Sequence, residues 1–476
     1  MRPATLVRLA LAGTRTDTAR VVLTALSAAL AALAGLAALT VLAIPQPPGG
    51  AESSQYANAL LREPGLRGGT AFALLLLAVP VLALAGQCAR LGAPARDRRL
   101  AALRLAGATP GQVTRIAALE TGAASLLGTA AALAAYLAAR ELLHRPDERG
   151  LLPLPTDVLP SPVALAAVVL GLPAVAAVGT ALLLRRVTTT PFGVVRRARW
   201  DRPPRPWFAV LIPLGVGALA AFFPVMQWYE ERHVQPPLLL APALLVVGGL
   251  APTIGVVVAA GWFSYTAGRW LHRLARGPAA LLAARRLMAD PWAGSRTFAA
   301  LLAAVLFGGG AAAFRANFQI RYDVLRAESR LADDLSEPNR FYLDTMNLVD
   351  LAVAVAVTIA AGGLLVALVE GIVARRRAYA ALVATGVPRP VLGRSVAWQA
   401  LAPAVPAVLL ALAVGLLLGR SLTGEVRAGG GDVMPAVPIE QLALVGGGAL
   451  LAVALTVAVG LFFLGASTAL EELRAT

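Results

Sequence analysis

Lysine is absent from this sequence; all 42 basic residues are arginine. A phosphate-cradling P-loop requires a lysine that reaches the β- and γ-phosphates, so a standard nucleotide-hydrolysing loop is excluded. Cysteine is almost absent too. The single Cys88 sits in an apolar run, can form no internal disulfide and reads as a small packed hydrophobe. The three histidines, His144, His233 and His272, are far apart, and none stands in a metal-ligand spacing. Neither a metal, a cofactor nor a catalytic group is expected, and the chain does not read as an enzyme. Charge is scarce as well: 14% of residues are ionised, against roughly 25% in a soluble domain.

What is present is hydrophobic length. Hydrophobic residues make up 58% of the chain and its mean hydropathy is +0.72. A bilayer core of ~30 Å needs about 20 apolar residues per helix. Runs of that kind fall at Val21–Ile44, Thr70–Arg90, Ile116–Ala139, Pro162–Leu184, Phe208–Met226, Leu238–Phe263, Phe298–Phe314, Leu348–Val373, Val396–Gly419 and Gln441–Leu464. The seventh is the weakest, being short and carrying Gly308, Gly309 and Gly310. The fold class expected is all-α: a polytopic membrane protein of about ten transmembrane helices.

Arginine sets the orientation. With the N-terminus inside, 29 of the 42 arginines fall in cytosolic segments, whereas 18 of the 26 acidic residues fall outside. The net charge of +16 is therefore a topology signal facing anionic lipid, not a nucleic-acid footprint. Both termini are expected in the cytoplasm, in the bacterial inner membrane. The apolar run after Arg20 is too long for a signal-peptide core and reads as an uncleaved first helix.

The chain also repeats itself. The segment after the second run, Ala95 to Gly107, matches Ala374 to Gly386 at a constant offset of 279. Arg96/Arg375, Arg98/Arg377, Ala101/Ala380, Ala102/Ala381, Leu103/Leu382, Gly107/Gly386 and Arg115/Arg394 coincide without a gap, and Glu120 then aligns with Gln399. A weaker echo pairs Arg8–Arg20 with Ala284–Arg296. The chain thus divides into two four-helix repeats, 1–200 and 270–476, around a two-helix insert at 201–269. Six spans separate equivalent positions, so the repeats are parallel. Each repeated loop reads as a short helix with a basic start and an apolar face, stopped by glycine and a turn. A lone basic loop would serve only as a topology anchor. Two copies at matching places point to a shared partner.

The pattern Arg-x-Arg-x-x-Ala-x-Leu-x-x-x-Gly, then a turn, an arginine and a glutamate at the foot of the next helix, resembles the FtsX/MacB-type permease domain. These are the membrane subunits of type VII ABC systems. The resemblance covers about 70–185 and about 350–465. The second copy departs from it in Gln399, which replaces the usual acidic residue, and in Pro388 and Pro390 at the turn. Two such domains plus an insert resemble the ten-helix members that act on antimicrobial peptides. The resemblance implies that Arg96, Arg98, Arg99, Leu100, Leu103 and Gly107, with Arg375, Arg377, Tyr379, Leu382 and Gly386, belong to two coupling helices. These would dock on a separate ABC ATPase, as a dimer, and drive export or extraction of a hydrophobic or peptide-like substrate.

Two other functions fit the same sequence. One is a mechanotransmission module that signals to an external protein without transport. The other is a secondary carrier needing no ATPase, which is weakened because no acidic residue or histidine lies at the middle of any span. Glu120 and Glu370 lie near the cytosolic boundary and read as carboxylates paired with helix-end arginines. The segment 315–347 reads as an amphipathic helix or hairpin outside the membrane.

Overall fold

The computed structural model describes residues 15–45, 55–76, 81, 102, 104–188, 204–331, 340–423, 426–428, 431–433 and 435–467. Helix dominates because a membrane leaves every backbone polar group to be satisfied within its own segment. Among the described residues, nine helices are long and apolar enough to cross a bilayer. Of the remaining expected span, 70–90, helix is described as far as Leu76; residues 77–80 and 82–90 lie outside the described residues. The chain forms two compact units, Met1–Arg197 and Ala198–Thr476.

The first unit is built from α1 (Arg15–Leu42), the short α2 (Ala59–Arg62), α3 (Pro64–Leu76), α4 (Pro110–Leu142) and α5 (Pro162–Thr188). Helix α1 packs against α3, α4 and α5. Small residues make this close approach possible: Ala32 and Ala38 of α1 are buried, and Thr129 of α4 donates its hydroxyl to the Val169 carbonyl of α5 at 2.9 Å. One polar contact ties α1 to α4, the hydroxyls of Thr40 and Tyr136 lying 2.7 Å apart.

At one end of this unit two loops interlock. Leu152 donates its N–H to the Gln55 carbonyl at 2.8 Å, and Ala57 donates to the Leu152 carbonyl at 3.0 Å. Tyr56 is wholly buried between them, its phenol donating to the Asp157 carboxylate at 3.0 Å. Gln55 donates to the same carboxylate at 2.8 Å. Burial, helped by the Asp157 charge, pushes the Tyr56 phenol up to about 12. The buried Arg67 guanidinium gathers the carbonyls of Leu61, Ile44 and Pro45.

The second unit begins with α6 (Phe208–Ala220) and α7 (Phe222–Glu231), followed by α8 (Leu240–Leu274) and the amphipathic α9 (Pro278–Ala289). The span expected over 208–226 is one of the nine, running Phe208–Glu231, and its helix assignment is interrupted only at Ala221. Pro224 has no N–H to return to the Ala220 carbonyl. Four long helices follow: α10 (Pro291–Leu331), α11 (Phe341–Val373), α13 (Arg389–Thr423) and α14 (Ile439–Ser467), with the short α12 (Arg376–Ala384) between α11 and α13. A two-stranded hairpin, β1 (Val426–Ala428) with β2 (Gly431–Val433), precedes α14 and pairs Val426 with Val433.

The span expected to be weakest is the best buried. Helix α10 packs most extensively on α13, and Leu301, Leu302 and Val305 are buried in the core with Val408, Ala411 and Val414. Gly308 to Gly310 lower its hydropathy because they are interface. A methyl group at Gly415 would collide with the Leu306 carbonyl, so the two backbones touch here as in small-residue membrane seams. Helix α10 also does not stop at Phe314. Its 41 residues run on to Leu331, a length of about 60 Å. Stacked Phe318 and Tyr342, ring centres 4.9 Å apart, join this extension to the start of α11.

Candidate functional site

The repeated helix is best described in its second copy. Helix α12 opens at Arg375 and closes in a Schellman turn. Gly386 donates to the Val383 carbonyl at 3.0 Å, and Val387 to the Leu382 carbonyl at 3.0 Å. Gly386 adopts φ +91°, a conformation that glycine takes without strain. Leu382 and Val387 then meet in one apolar cluster, the contact that accompanies such a turn. The chain re-enters a membrane helix three residues later.

The first copy repeats the turn. Gly107 has the same φ of +91° and donates to the Arg104 carbonyl at 2.9 Å. Thr109 caps the following α4 in a reciprocal capping box with Gln112, with Pro110 at the first helical position. Arg96, Arg98, Arg99, Leu100 and Leu103 lie outside the described residues, as does most of the echo at 8–20.

The inner and outer faces of α12 differ sharply. Tyr379 and Ala380 are buried, and Leu382 and Val383 are half-buried against Ile372, Leu392 and Val396. Leu282 of α9 packs on the same cluster. Arg286, also of α9, lies within electrostatic reach of Tyr379; burial pulls its guanidinium below the ordinary range, opposed by Tyr379 and Asp290. Of the expected contact residues, then, Tyr379 and Leu382 seat the helix on its own unit. The outward surface consists of Arg375, Ala378, Ala381, Ala384 and Thr385, all exposed, and Arg377 lies in the first turn. This small-residue face was not singled out in the sequence. Its counterpart in the first copy includes Leu105, which is 91% exposed. At the next helix, the Gln399 amide donates to Ser395 at 3.0 Å, where the aligned Glu120 is buried.

Among the described residues, no group of three histidine, cysteine or carboxylate side chains is placed to hold a metal ion. Helix α12 presents an exposed face that begins at Arg375 and links the membrane helices α11 and α13, and the protein is a multi-pass membrane protein. The FtsX-like permease C-terminal model matches residues 69–192 and 351–467, just over half of the sequence, and the chain belongs to the FtsX-like permease family. No curated protein and no solved structure matches the chain. Permeases of this family are membrane components of ABC transporters and partner with an ABC ATPase.

Proposed function

We propose that the chain is the permease subunit that couples a separate dimeric ABC ATPase to export or extraction of a hydrophobic or peptide-like substrate. The observation that carries this reading is the pair of glycine-stopped turns, Gly107 and Gly386, with identical φ at the same offset. Each is followed at once by a membrane helix, so a push on the short helix becomes a push on a span. Arginine placement supports a cytosolic location for both turns and for both termini, in the inner membrane. The repeats then correspond to 1–200 and 270–476, with 201–269 as an insert. The contact surfaces are Arg375, Arg377, Ala378, Ala381 and Gly386 in one repeat, and Leu105 and Gly107 in the other. Helix-in-groove docking suits such a face.

The length of α10 favours a second reading alongside the first. A helix that runs unbroken from Pro291 to Leu331 could carry motion across the membrane to an external protein without a transported substrate.

Affinity purification of the full chain from its native membrane tests the first reading. An ABC ATPase is expected to co-purify. A permease that retains its helical content in mild detergent but captures no ATPase would remove the coupling assignment. Reconstitution with that ATPase in liposomes separates the two readings: stimulated hydrolysis with substrate movement supports transport, and stimulation by an external protein alone supports signalling.

A further inference from the structure

Helices α11 and α14 lie side by side and leave a groove of about 630 Å³ between them. Its walls recur every three or four residues, from Asp350 to Leu365 on α11 and from Gln441 to Val459 on α14, so each helix gives one continuous stripe. Fifteen residue steps along α11 make the trough roughly 22 Å long. One leaflet of a ~30 Å hydrocarbon core is ~15 Å deep, so an acyl chain fits within this length.

The space exists because its floor is small. A methyl group added at Gly362 or Gly448 would meet nothing within 4 Å. The two threonines in the walls do not make the trough polar. Thr358 gives its hydroxyl to the Ala354 carbonyl at 2.8 Å, and Thr456 gives its own to Ala452 at 2.7 Å.

Polarity is confined to one end, at Asp350 and Gln441. Asp350 is the only charged residue among the described residues that line the groove. Arg315 of α10 holds its Oδ2 at 2.5 Å and also donates to Asn347 at 2.9 Å. The arginine side chain is 14% exposed and the aspartate 48%, so the pair presents its carboxylate and withdraws its guanidinium. An apolar trough ending in a presented carboxylate complements a cation on a chain.

We propose that this groove binds one acyl chain of an amphiphile whose headgroup carries an ammonium, with the amine at Asp350 and the chain between α11 and α14. The assignment deepens the permease reading, on which its consequence for transport rests, by naming a ligand class. Binding itself needs no ATPase and is measured without one.

The test uses the purified full chain in nonionic detergent, titrated with a spin-labelled lysophosphatidylethanolamine. A lysophosphatidylglycerol of the same chain, which lacks the ammonium, is the comparison. Saturable one-to-one binding of the first is expected, at least about tenfold tighter than the second. Asp350→Asn should abolish that preference. Gly448→Leu should fill the trough and remove binding of both, and the open space at Gly448 lets that variant fold; Gly362→Leu provides an independent filling variant. Equal binding of the two headgroups, or binding indifferent to both filling variants, would overturn the proposal. So would thiol labelling of an Ala354→Cys variant, in a Cys88→Ala background, that is blocked regardless of amphiphile, since protein would then fill the groove. ATPase capture with no amphiphile binding removes the groove assignment alone, whereas amphiphile binding with no ATPase capture removes the coupling assignment alone.

Discussion

The N–H of Val387 donates to the carbonyl of Leu382 at 3.0 Å, closing the turn that ends α12 and folding both side chains into one cluster. That bond is available because Gly386 takes φ +91° between them. An L-residue there carries a penalty of roughly 1–2 kcal/mol in the left-handed region. Gly386→Val is therefore expected to lower the melting temperature of the purified protein modestly and to reduce ATPase co-purification more than the stability loss accounts for. Unchanged capture in Gly386→Val would show that the turn does not set the docking geometry.

The two faces of α12 predict opposite outcomes from adjacent substitutions. Leu382→Asp places a charge against Val396 and Leu392 and forfeits part of the ~1.5–3 kcal/mol that full burial of a leucine contributes. A lower melting temperature is expected, with ATPase loss as a by-product. Ala381→Glu sits on the exposed side, adds a helix-compatible residue and puts an acidic group between basic edges. Its melting temperature should stay within a degree or two of the parent while ATPase capture falls. If Ala381→Glu retains the ATPase in full, the exposed face of α12 is not the contact.

Much of this was legible in the sequence, for identifiable reasons. Long apolar runs locate spans because bilayer thickness imposes their length, and Gly386 followed by a proline turn announces a helix stop. The inward face of α12 was not legible. Alanines at 378, 380, 381 and 384 surround Tyr379 and Leu382, so composition hardly distinguishes one side from the other. Hydropathy misjudged the seventh span for a related reason: it scores Gly308–Gly310 as weak, whereas packing uses them as contact. It also marks where the bilayer ends, not where a helix ends, and so it missed the continuation of α10 beyond Arg315. The groove below Asp350 is made by small residues on helices about ninety positions apart, and only tertiary structure brings them together.

The α10–α13 seam gives a direct test of packing. Gly415→Ala forces a methyl group into the Leu306 carbonyl, and separating two long helices at their tightest point should cost ~1–3 kcal/mol or more. Gly447→Ala, at an exposed position of α14 with open space around it, should be neutral or stabilise by up to ~1 kcal/mol through helix propensity. Thermal unfolding followed by circular dichroism distinguishes them. Equal behaviour of the two variants would mean that the seam is slack.

Tyr56 supplies a prediction with a defined pH window. Its folded value of about 12 lies above the ordinary phenol value of 10. The folded state therefore favours the neutral phenol, and the stability tied to it is fully present below pH 10. It is lost as pH rises from 10 towards 12, because the unfolded chain releases this proton first. Ultraviolet titration of phenolate absorbance should show a late-ionising component in the native protein that Tyr56→Phe removes. The same substitution removes the phenol's hydrogen bond to Asp157, a loss of about 1 kcal/mol, while Gln55 continues to hold that carboxylate. The variant should be less stable than the parent at neutral pH but lose less of its stability between pH 10 and 12. Parallel stability curves across that window would show that the interlocked loops do not seal Tyr56 from water.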